Sequence, residues 1–210
     1  MDNKKLQEIT NTLKIGYPDA KCALKFKTPY ELLVATVLSA QCTDVRVNKV
    51  TKELFKMADT PKAMALLGYE KIFDTIKSCG LSKNKTEHIL ALSQKLDSEF
   101  GGTVPCGMDE LMSLPGVGRK TANVVMANAF GKDAIAVDTH VFRVTNRIGL
   151  VHEKDALKTE KALMAVLPKT DWSLMHHVFI LHGRAICHAR KPECENCCIK
   201  DLCEYENKNL

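Results

Sequence analysis

Helical periodicity runs through almost the whole chain, and this feature limits its fold more than any other. Apolar residues recur every three or four positions, as at Leu6, Ile9 and Leu13, with Asp2 or Asn3 available as the first cap. Only the segment from Ala134 to Val137 looks extended. We therefore predict an all-α fold of roughly ten helices.

Capping residues and glycines locate the helix ends. The segment 28–31, Thr-Pro-Tyr-Glu, predicts a capping box with proline at the first helical position. The residues that follow, up to Ala40, are apolar on all sides, so we expect a buried helix there. Further helices are predicted to begin at Asp44, Thr60, Glu70 and Ser82, and N-caps are predicted at Asp138, Asp155 and Asp171. We expect the helix from Glu70 to end at a Gly80 cap, and the helix from Ser82 to stop at Gly101-Gly102.

The composition sets only broad limits on function. A net charge of +5 suits contact with a polyanion but equally suits an ordinary basic enzyme, and 6% aromatic residues argue against a single-strand stacking surface. The N-terminus lacks the apolar stretch of a signal peptide, and the longest apolar run, 32–40, is too short to cross a bilayer. We expect no membrane association and a cytoplasmic location, at the nucleoid if the source is prokaryotic.

A glycine-rich turn in segment 114–122, Leu-Pro-Gly-Val-Gly-Arg-Lys-Thr-Ala, predicts a hairpin between two helices. Pro115 ends the first helix, and the glycines let backbone N–H groups approach another molecule closely. The next helix starts at once, so its positive end favours an anion such as DNA phosphate. The residues expected at this contact are Gly116, Val117, Gly118 and Arg119. A tight corner with nothing bound is the alternative, and a bare Gly-x-Gly would favour it.

Lys120 and Asp138 are the candidate catalytic pair. Lys120 lies on the first turn of the helix after the hairpin, where the dipole disfavours a cation, and the neutral amine is the form that attacks carbon. Asp138 precedes a predicted helix, where its carboxylate would accept backbone N–H bonds. Chain lengths permit the two groups to meet, but a plain N-cap role is the better explanation of Asp138 taken alone.

Four cysteines near the C-terminus have the spacing C-x6-C-x2-C-x5-C: Cys187, Cys194, Cys197 and Cys203. Clustered thiols suit tetrahedral zinc or an iron–sulfur cluster, and the spacing leaves both open. Cys198 is an adjacent thiol that could compete as a ligand. A metal bound at both ends of the 187–194 loop would hold Arg190 and Lys191 rigidly for contact with phosphate.

Several motifs in one order resemble the endonuclease III family of helix-hairpin-helix DNA glycosylases. They are the hairpin at 114–122, Ala-Val-Asp-Thr-His at 136–140, Leu-Ser-Ala-Gln-Cys-Thr-Asp at 38–44, Ile-Leu-His-Gly-Arg at 180–184, and the cysteine spacing. The resemblance implies two helical domains with a DNA-binding cleft between them. One is a six-helix barrel over 22–132 that contains the helix-hairpin-helix at about 108–127. The other combines 1–21 with 133–210 and carries a [4Fe–4S] cluster.

The same resemblance implies a bifunctional DNA glycosylase and AP lyase of base excision repair. Such an enzyme flips an oxidised pyrimidine out of duplex DNA, attacks C1′ with Lys120 to form a Schiff base, and nicks the strand 3′ to the abasic site by β-elimination. Asp138 would accept a proton or stabilise positive charge on the sugar. We expect a monomer that binds double-stranded DNA containing damaged pyrimidines or abasic sites.

The resemblance also assigns further DNA contacts. Gln41 and Leu81 would fill the gap left by the flipped nucleotide and wedge the opposite strand, although Ser82 stands where the family often has an aromatic residue. His140 and Arg143, on the helix after Asp138, are also expected to contact DNA. Three alternatives stay open: a mismatch-specific thymine glycosylase, an adenine glycosylase of the same superfamily, and a non-catalytic DNA-binding module. The module gives no reason for Lys120 and Asp138 together, and adenine glycosylases generally lack the lysine.

Overall fold

The structure, a computed structural model, describes residues 2–209, and this part of the chain is helical with no β-strand. The all-α prediction is therefore confirmed. The helices are α1 (Asn3–Gly16), α2 (Pro29–Leu38), α3 (Asp44–Met57), α4 (Pro61–Ile76), α5 (Ser82–Glu99), α6 (Met108–Met112), α7 (Arg119–Phe130), α8 (Thr139–Arg147), α9 (Ala156–Val166) and α10 (Trp172–Ala185), with short 3-10 turns at Lys169–Asp171 and Cys194–Asn196. None of these helices is both long enough and apolar enough to cross a membrane.

The chain divides into two compact units. One is Ala23–Lys132, which contains the six helices α2 to α7. The other consists of the described residues up to Cys22 and from Asp133 onwards, with α1 and α8 to α10. In the first unit α2 packs against α3, α5 and α7, and α4 packs against α5; in the second, α10 packs against α8 and α1.

Local capping explains most helix starts. Asp2 caps α1 by accepting a hydrogen bond from the Lys5 N–H at 2.8 Å. Thr28 caps α2 by accepting from the Glu31 N–H at 3.2 Å, and residues 30–38 of that helix are buried as predicted. The capping box itself is shifted by one residue. The Glu31 carboxylate accepts from the Lys27 N–H at 2.6 Å instead of from the N–H of the cap residue.

The predicted Gly80 cap is wrong. The helix α4 begins after its Thr60 cap, is interrupted at Gly68 (φ 78°), and ends at Ile76. The interruption accounts for the second helix start expected near Glu70. Gly80 has a different purpose, since a Cβ there would lie 3.0 Å from the Gln41 carbonyl oxygen. Glycine therefore permits two turns to touch, which no local pattern in the sequence reveals.

The second unit has its core around α10. Phe179 and Met175 are fully buried, together with Val141 and Val144 of α8 and Leu13 of α1. The segment 134–137 is buried too, but it joins no β-ladder; His176 Nδ1 donates to the Ala136 carbonyl at 2.7 Å.

The three predicted aspartate caps do not behave alike. Asp138 caps α8 and Asp155 caps α9 with side-chain hydrogen bonds. Asp171 occupies the N-cap position of α10 without such a bond. Its carboxylate instead pairs with the Lys14 ammonium at 2.5 Å and so connects α10 to α1.

We expect Phe179→Ala to lower the free energy of unfolding by about 3–5 kcal/mol, because it leaves a cavity at a fully buried position. Leu174→Ala on the same helix is the control, since Leu174 is 37% exposed and its truncation removes less buried surface. The midpoint of urea unfolding measures both changes. Equal destabilisation by the two variants would contradict the packing described here.

Candidate functional site

The hairpin between α6 and α7 uses its two glycines for different purposes. Gly116 has φ 76°, and a Cβ on it would come within 2.8–2.9 Å of the Cβ, Cγ and Nδ1 atoms of His88. Gly118, the N-cap of α7, has φ −94° and open space where its Cβ would be. The Val117 side chain is buried between them. The hairpin therefore turns the Val117 side chain inward and exposes backbone at Gly118.

Lys120 is exposed on the first turn of α7, directly after this hairpin. Gly118 provides no side-chain cap, and the first turn contains no acidic residue. The N–H groups at this end of the helix thus have no carboxylate from their own turn, and they favour an anion from elsewhere. Arg119, one residue earlier, is half-buried.

Gln41 and Leu81 lie on two turns that touch each other. Both are exposed, and both have left-handed backbone angles, with φ 51° and 59°. Within residues 2–209, Lys191 is the third and last non-glycine residue with positive φ, at 50°. Such conformations cost energy and concentrate at functional sites. All three residues were predicted from the sequence as DNA contacts, on other grounds.

Asp138 begins α8, and its Oδ1 atom accepts hydrogen bonds from the His140 N–H at 2.8 Å and the Val141 N–H at 2.9 Å. These two donors hold the carboxylate in one position and stabilise its negative charge. The side chain is half-buried. The cap role is therefore established by geometry, and the catalytic role stays a prediction.

Arg143 is hydrogen-bonded within its own unit. Its Nε donates to the Cys187 carbonyl at 3.0 Å, and Nη2 donates to the Gly183 carbonyl at 2.9 Å and to His140 Nδ1 at 3.0 Å. Burial lowers the pKa of His140. A Cβ at Gly183 would lie 3.1 Å from Arg143 Nη2, so the glycine of the Ile-Leu-His-Gly-Arg segment makes room for this guanidinium. His140 and Arg143, both predicted to contact DNA, thus join α8 to α10 and to the 187–194 loop, which we call the cysteine loop.

Arg147 is a structural residue that the sequence analysis missed. Its guanidinium donates to the His188 carbonyl at 2.6 Å and the Ala189 carbonyl at 3.0 Å, and it lies 4.6 Å from the centre of the Tyr205 ring. The i, i+4 spacing from Arg143, which places both side chains on one face of α8, was the available signal. Together the two arginines hold the backbone immediately before Arg190 and Lys191, both of which are exposed.

The four predicted cysteine ligands line one pocket, and all are free thiols. Burial, together with the nearby thiols Cys198, Cys203 and Cys187, raises the pKa of Cys197 to about 11. Burial also raises the pKa of Cys203. Four partly buried thiols this close together would repel as thiolates, so the donor set fits a cationic metal group. Cys198 does not line the pocket. In residues 2–209, no group of three or more His, Cys, Asp or Glu side chains is arranged for a single metal ion.

His182 is the second residue that the sequence analysis missed as an individual contributor. It is 1% exposed, with Nδ1 3.0 Å from the Tyr17 hydroxyl and Nε2 3.6 Å from the Cys197 sulfur. Burial lowers its pKa to about 4 and raises that of Tyr17 to about 12, so both are neutral near pH 7. If the Tyr17 hydroxyl donates to Nδ1, the imidazole hydrogen is on Nε2 and points to the sulfur.

Comparison with known proteins identifies the family. Residues 34–169 match the family described as HhH-GPD superfamily base excision DNA repair protein. The chain belongs to this family. Its HhH-GPD relatives include endonuclease III of Bacillus subtilis (strain 168), 49% identical over 198 residues that cover 93% of this chain and 90% of that protein. Endonuclease III of Escherichia coli (strain K12) is 47% identical over 208 residues, 99% of both chains.

Solved structures agree with the HhH-GPD assignment. A trapped endonuclease III–DNA covalent intermediate, an estranged-adenine complex, matches with a TM-score of 0.92 and 46% identity, covering 97% of this chain and 96% of that one. A thermostable thymine-DNA glycosylase matches with a TM-score of 0.86 and 27% identity, covering 97% of each chain. The two-domain helical fold expected from the sequence is thus confirmed.

We expect the two hairpin glycines to respond differently to alanine. Gly116→Ala should lower the free energy of unfolding by about 1–3 kcal/mol, because its positive φ and the contact with His88 both oppose a Cβ. Gly118→Ala should cost less than about 1 kcal/mol, since its φ is ordinary and the space is open.

Duplex binding separates the two effects further. If the open space at Gly118 is where a phosphate approaches, Gly118→Ala weakens binding to an abasic-site duplex while the urea midpoint stays near that of the wild type. Unchanged affinity in this variant would show that DNA does not approach the hairpin at Gly118.

Proposed function

We propose that this protein is a bifunctional DNA glycosylase and AP lyase that removes oxidised pyrimidines from duplex DNA. The observation that carries the proposal is the exposed Lys120 on the first turn of α7, in a chain of the base excision repair family. It directly follows a hairpin whose Gly118 gives the helix no side-chain cap. An exposed amine on a rigid helix beside an anion-favouring turn is suited to attack a sugar carbon whose phosphates are held nearby.

In the proposed reaction the damaged nucleotide leaves the base stack, because C1′ cannot be reached within the duplex. The Lys120 amine forms a bond to C1′, the bond from C1′ to the base breaks, and the base leaves with the bonding electrons. One amine proton passes to the departing base. The second passes to the ring oxygen O4′ as the bond from C1′ to O4′ breaks, which opens the sugar and gives a Schiff base. Removal of a proton from C2′ then expels the 3′ phosphate by β-elimination, which nicks the strand.

Asp138 contributes negative charge in this scheme. The two N–H donors at the start of α8 hold its Oδ1 atom, which supports a role in stabilising the positive sugar. Acceptance of a proton is the other role open to it.

DNA contacts are proposed on four features. Gln41 and Leu81 would occupy the space left by the flipped nucleotide, supported by their exposure and strained backbone. Backbone groups at 116–118 and the Arg119 side chain would position phosphate. Arg190 and Lys191 would contact phosphate from the loop that Arg147 holds, while His140 and Arg143 would act at the end of α8 next to Asp138.

Cys187, Cys194, Cys197 and Cys203 are proposed to hold a [4Fe–4S] cluster, since four free thiols line one pocket. When bound, the cluster would supply cross-links between the two ends of the 187–194 loop and the C-terminal segment. The arginine contacts to carbonyls 187–189 would set the loop conformation with it. We further propose that the enzyme acts as a monomer on DNA in the cytoplasm.

A mismatch-specific thymine glycosylase is the second candidate, because of the structural match to the thymine-DNA glycosylase. Duplexes that each carry one defined oxidised pyrimidine or one G·T mismatch separate the two candidates. Cleavage of the oxidised pyrimidines with little action on the mismatch supports the proposed function, and the reverse order supports the alternative.

Borohydride trapping tests the lysine chemistry directly. The wild-type protein should form a covalent adduct with abasic-site DNA. Lys120→Ala should abolish the adduct, because the variant has no amine at this position to form the Schiff base. Lys132→Ala, which changes an exposed lysine just beyond α7, is the matched control and should still be trapped. A wild-type protein without an adduct, or an adduct that persists in Lys120→Ala, would overturn the assignment.

Iron content tests the cluster. We expect about four iron atoms per chain and the brown colour of an iron–sulfur protein. Cys197→Ser should lose iron, whereas Cys106→Ser, at an exposed thiol outside the pocket, should retain it. Zinc in a colourless wild-type protein would contradict the proposal.

A further inference from the structure

Two turns of the Ala23–Lys132 unit meet through a pair of thiols. The turn between α2 and α3 carries Gln41 and Cys42, and the turn between α4 and α5 carries Cys79 and Leu81. The Cys42 and Cys79 thiols are hydrogen-bonded to each other although 37 positions separate them in the sequence (79 minus 42). Both are reduced here, and neither belongs to the four-cysteine pocket.

We propose that Cys42 and Cys79 form a redox-sensitive pair, and that their oxidation to a disulfide by hydrogen peroxide displaces Gln41 and Leu81 and weakens DNA binding. The chemical half of the proposal depends only on the thiol pair. The binding half rests on the proposed function, because it requires that these two turns contact DNA.

The accessible thiol reacts first. Cys42 is half-buried, whereas Cys79 is 3% exposed. The Cys42 sulfur attacks one peroxide oxygen, the O–O bond breaks, and a sulfenic acid and one water form. The Cys79 sulfur then attacks the Cys42 sulfur, the S–O bond breaks, and the departing hydroxide takes the Cys79 proton to form a second water. The two thiols together lose two electrons, which reduce one peroxide to two waters.

The surroundings support this order of events. Burial and the hydrogen bond to Cys42 together raise the pKa of Cys79 to about 11, so Cys79 is the less reactive thiol and Cys42 is oxidised first. Lys85 is 3% exposed, and its Nζ donates to the Leu38 carbonyl at 2.8 Å. It interacts electrostatically with both cysteines, and its positive charge acts against burial to lower the pKa of Cys79, which favours the attack of Cys79 in the second step.

Oxidation must disturb the turns, because they already touch. A disulfide bond is shorter than a hydrogen bond between two thiols, so its formation pulls the turns together. The space between them is filled, since even a Cβ at Gly80 would lie 3.0 Å from the Gln41 carbonyl oxygen. Gln41 directly precedes one thiol, and Leu81 is two residues after the other. Their left-handed conformations are strained and give way more readily than the adjoining helices.

Disulfide mapping tests the chemical half. The holoprotein is treated with hydrogen peroxide, alkylated and digested without reductant, and its peptides are identified by mass. We expect a linked peptide pair containing Cys42 and Cys79 that disappears after dithiothreitol. Cys106 is the internal control for the peroxide treatment, because it is exposed and does not belong to the pair. Oxidised Cys106 without any Cys42–Cys79 link would overturn the proposal.

Duplex binding tests the consequence. The affinity of the oxidised wild type for an abasic-site duplex should fall roughly 10- to 100-fold and recover with dithiothreitol. Cys42→Ser and Cys79→Ala should bind equally well before and after peroxide, whereas Cys106→Ser should respond like the wild type. The iron content is measured in each sample, so that cluster damage is recognised.

Two binding results would contradict the switch. One is a disulfide-linked protein that binds DNA with full affinity. The other is that the Cys42 and Cys79 variants lose binding after peroxide to the same extent as the wild type, with their iron retained. If reduced wild type neither binds nor is trapped on abasic-site DNA, the proposed function fails, and the mapping experiment still decides whether the thiol pair is oxidised.

Discussion

The unpaired backbone groups at helix ends are the constraint on which the rest of this molecule depends. Each helix leaves up to four N–H groups and four carbonyls without partners, and residues 2–209 contain no strand to bond them. Thr28, Asp138 and Asp155 bond N–H groups at helix starts, and the buried Lys85 bonds the last carbonyl of α2. The starts of α5, α7 and α10 differ, because each has neither a side-chain cap nor an acidic residue in its first turn. Of these three helices, α7 is the one that carries Lys120.

The same need for partners organises the cysteine loop. The carbonyls at 187, 188 and 189 accept hydrogen bonds from the side chains of two arginines of α8. Arg143 reaches this position because Gly183 has no side chain. The close approach of α10 to α8 and the conformation of the loop therefore depend on the same contact. Hydrogen bonds to ionised donors are among the stronger ones in proteins. The protein chain itself therefore contributes to the loop geometry, and a metal group would add to a structure that already has internal support.

The sequence predicted those features of the fold that neighbouring residues determine. Helix type, the buried α2, the hairpin and the caps at Asp2, Thr28 and Asp155 follow from neighbouring residues. The capping box at Glu31 failed locally, because the carboxylate bonds the Lys27 N–H, one residue before the expected donor. Two other failures occur where a partner distant in the sequence competes: Gly80 faces the Gln41 carbonyl, and Asp171 pairs with Lys14. Tyr17–His182, Arg147–His188 and Cys42–Cys79 were missed for the same reason, because each joins residues far apart in the sequence. The candidate catalytic residues came from motif order, since chemistry alone left Asp138 as a cap.

The predicted DNA contacts Gln41 and Leu81 both have strained backbone conformations that depend on the surrounding fold. A left-handed conformation at a non-glycine residue costs on the order of 1–3 kcal/mol and persists only where surrounding structure enforces it. At Gln41 and Leu81 the enforcement is mutual, because the turn of one packs on the turn of the other through Gly80. A disturbance beneath either turn therefore reaches both, and a small covalent change there alters what Gln41 and Leu81 present at the surface.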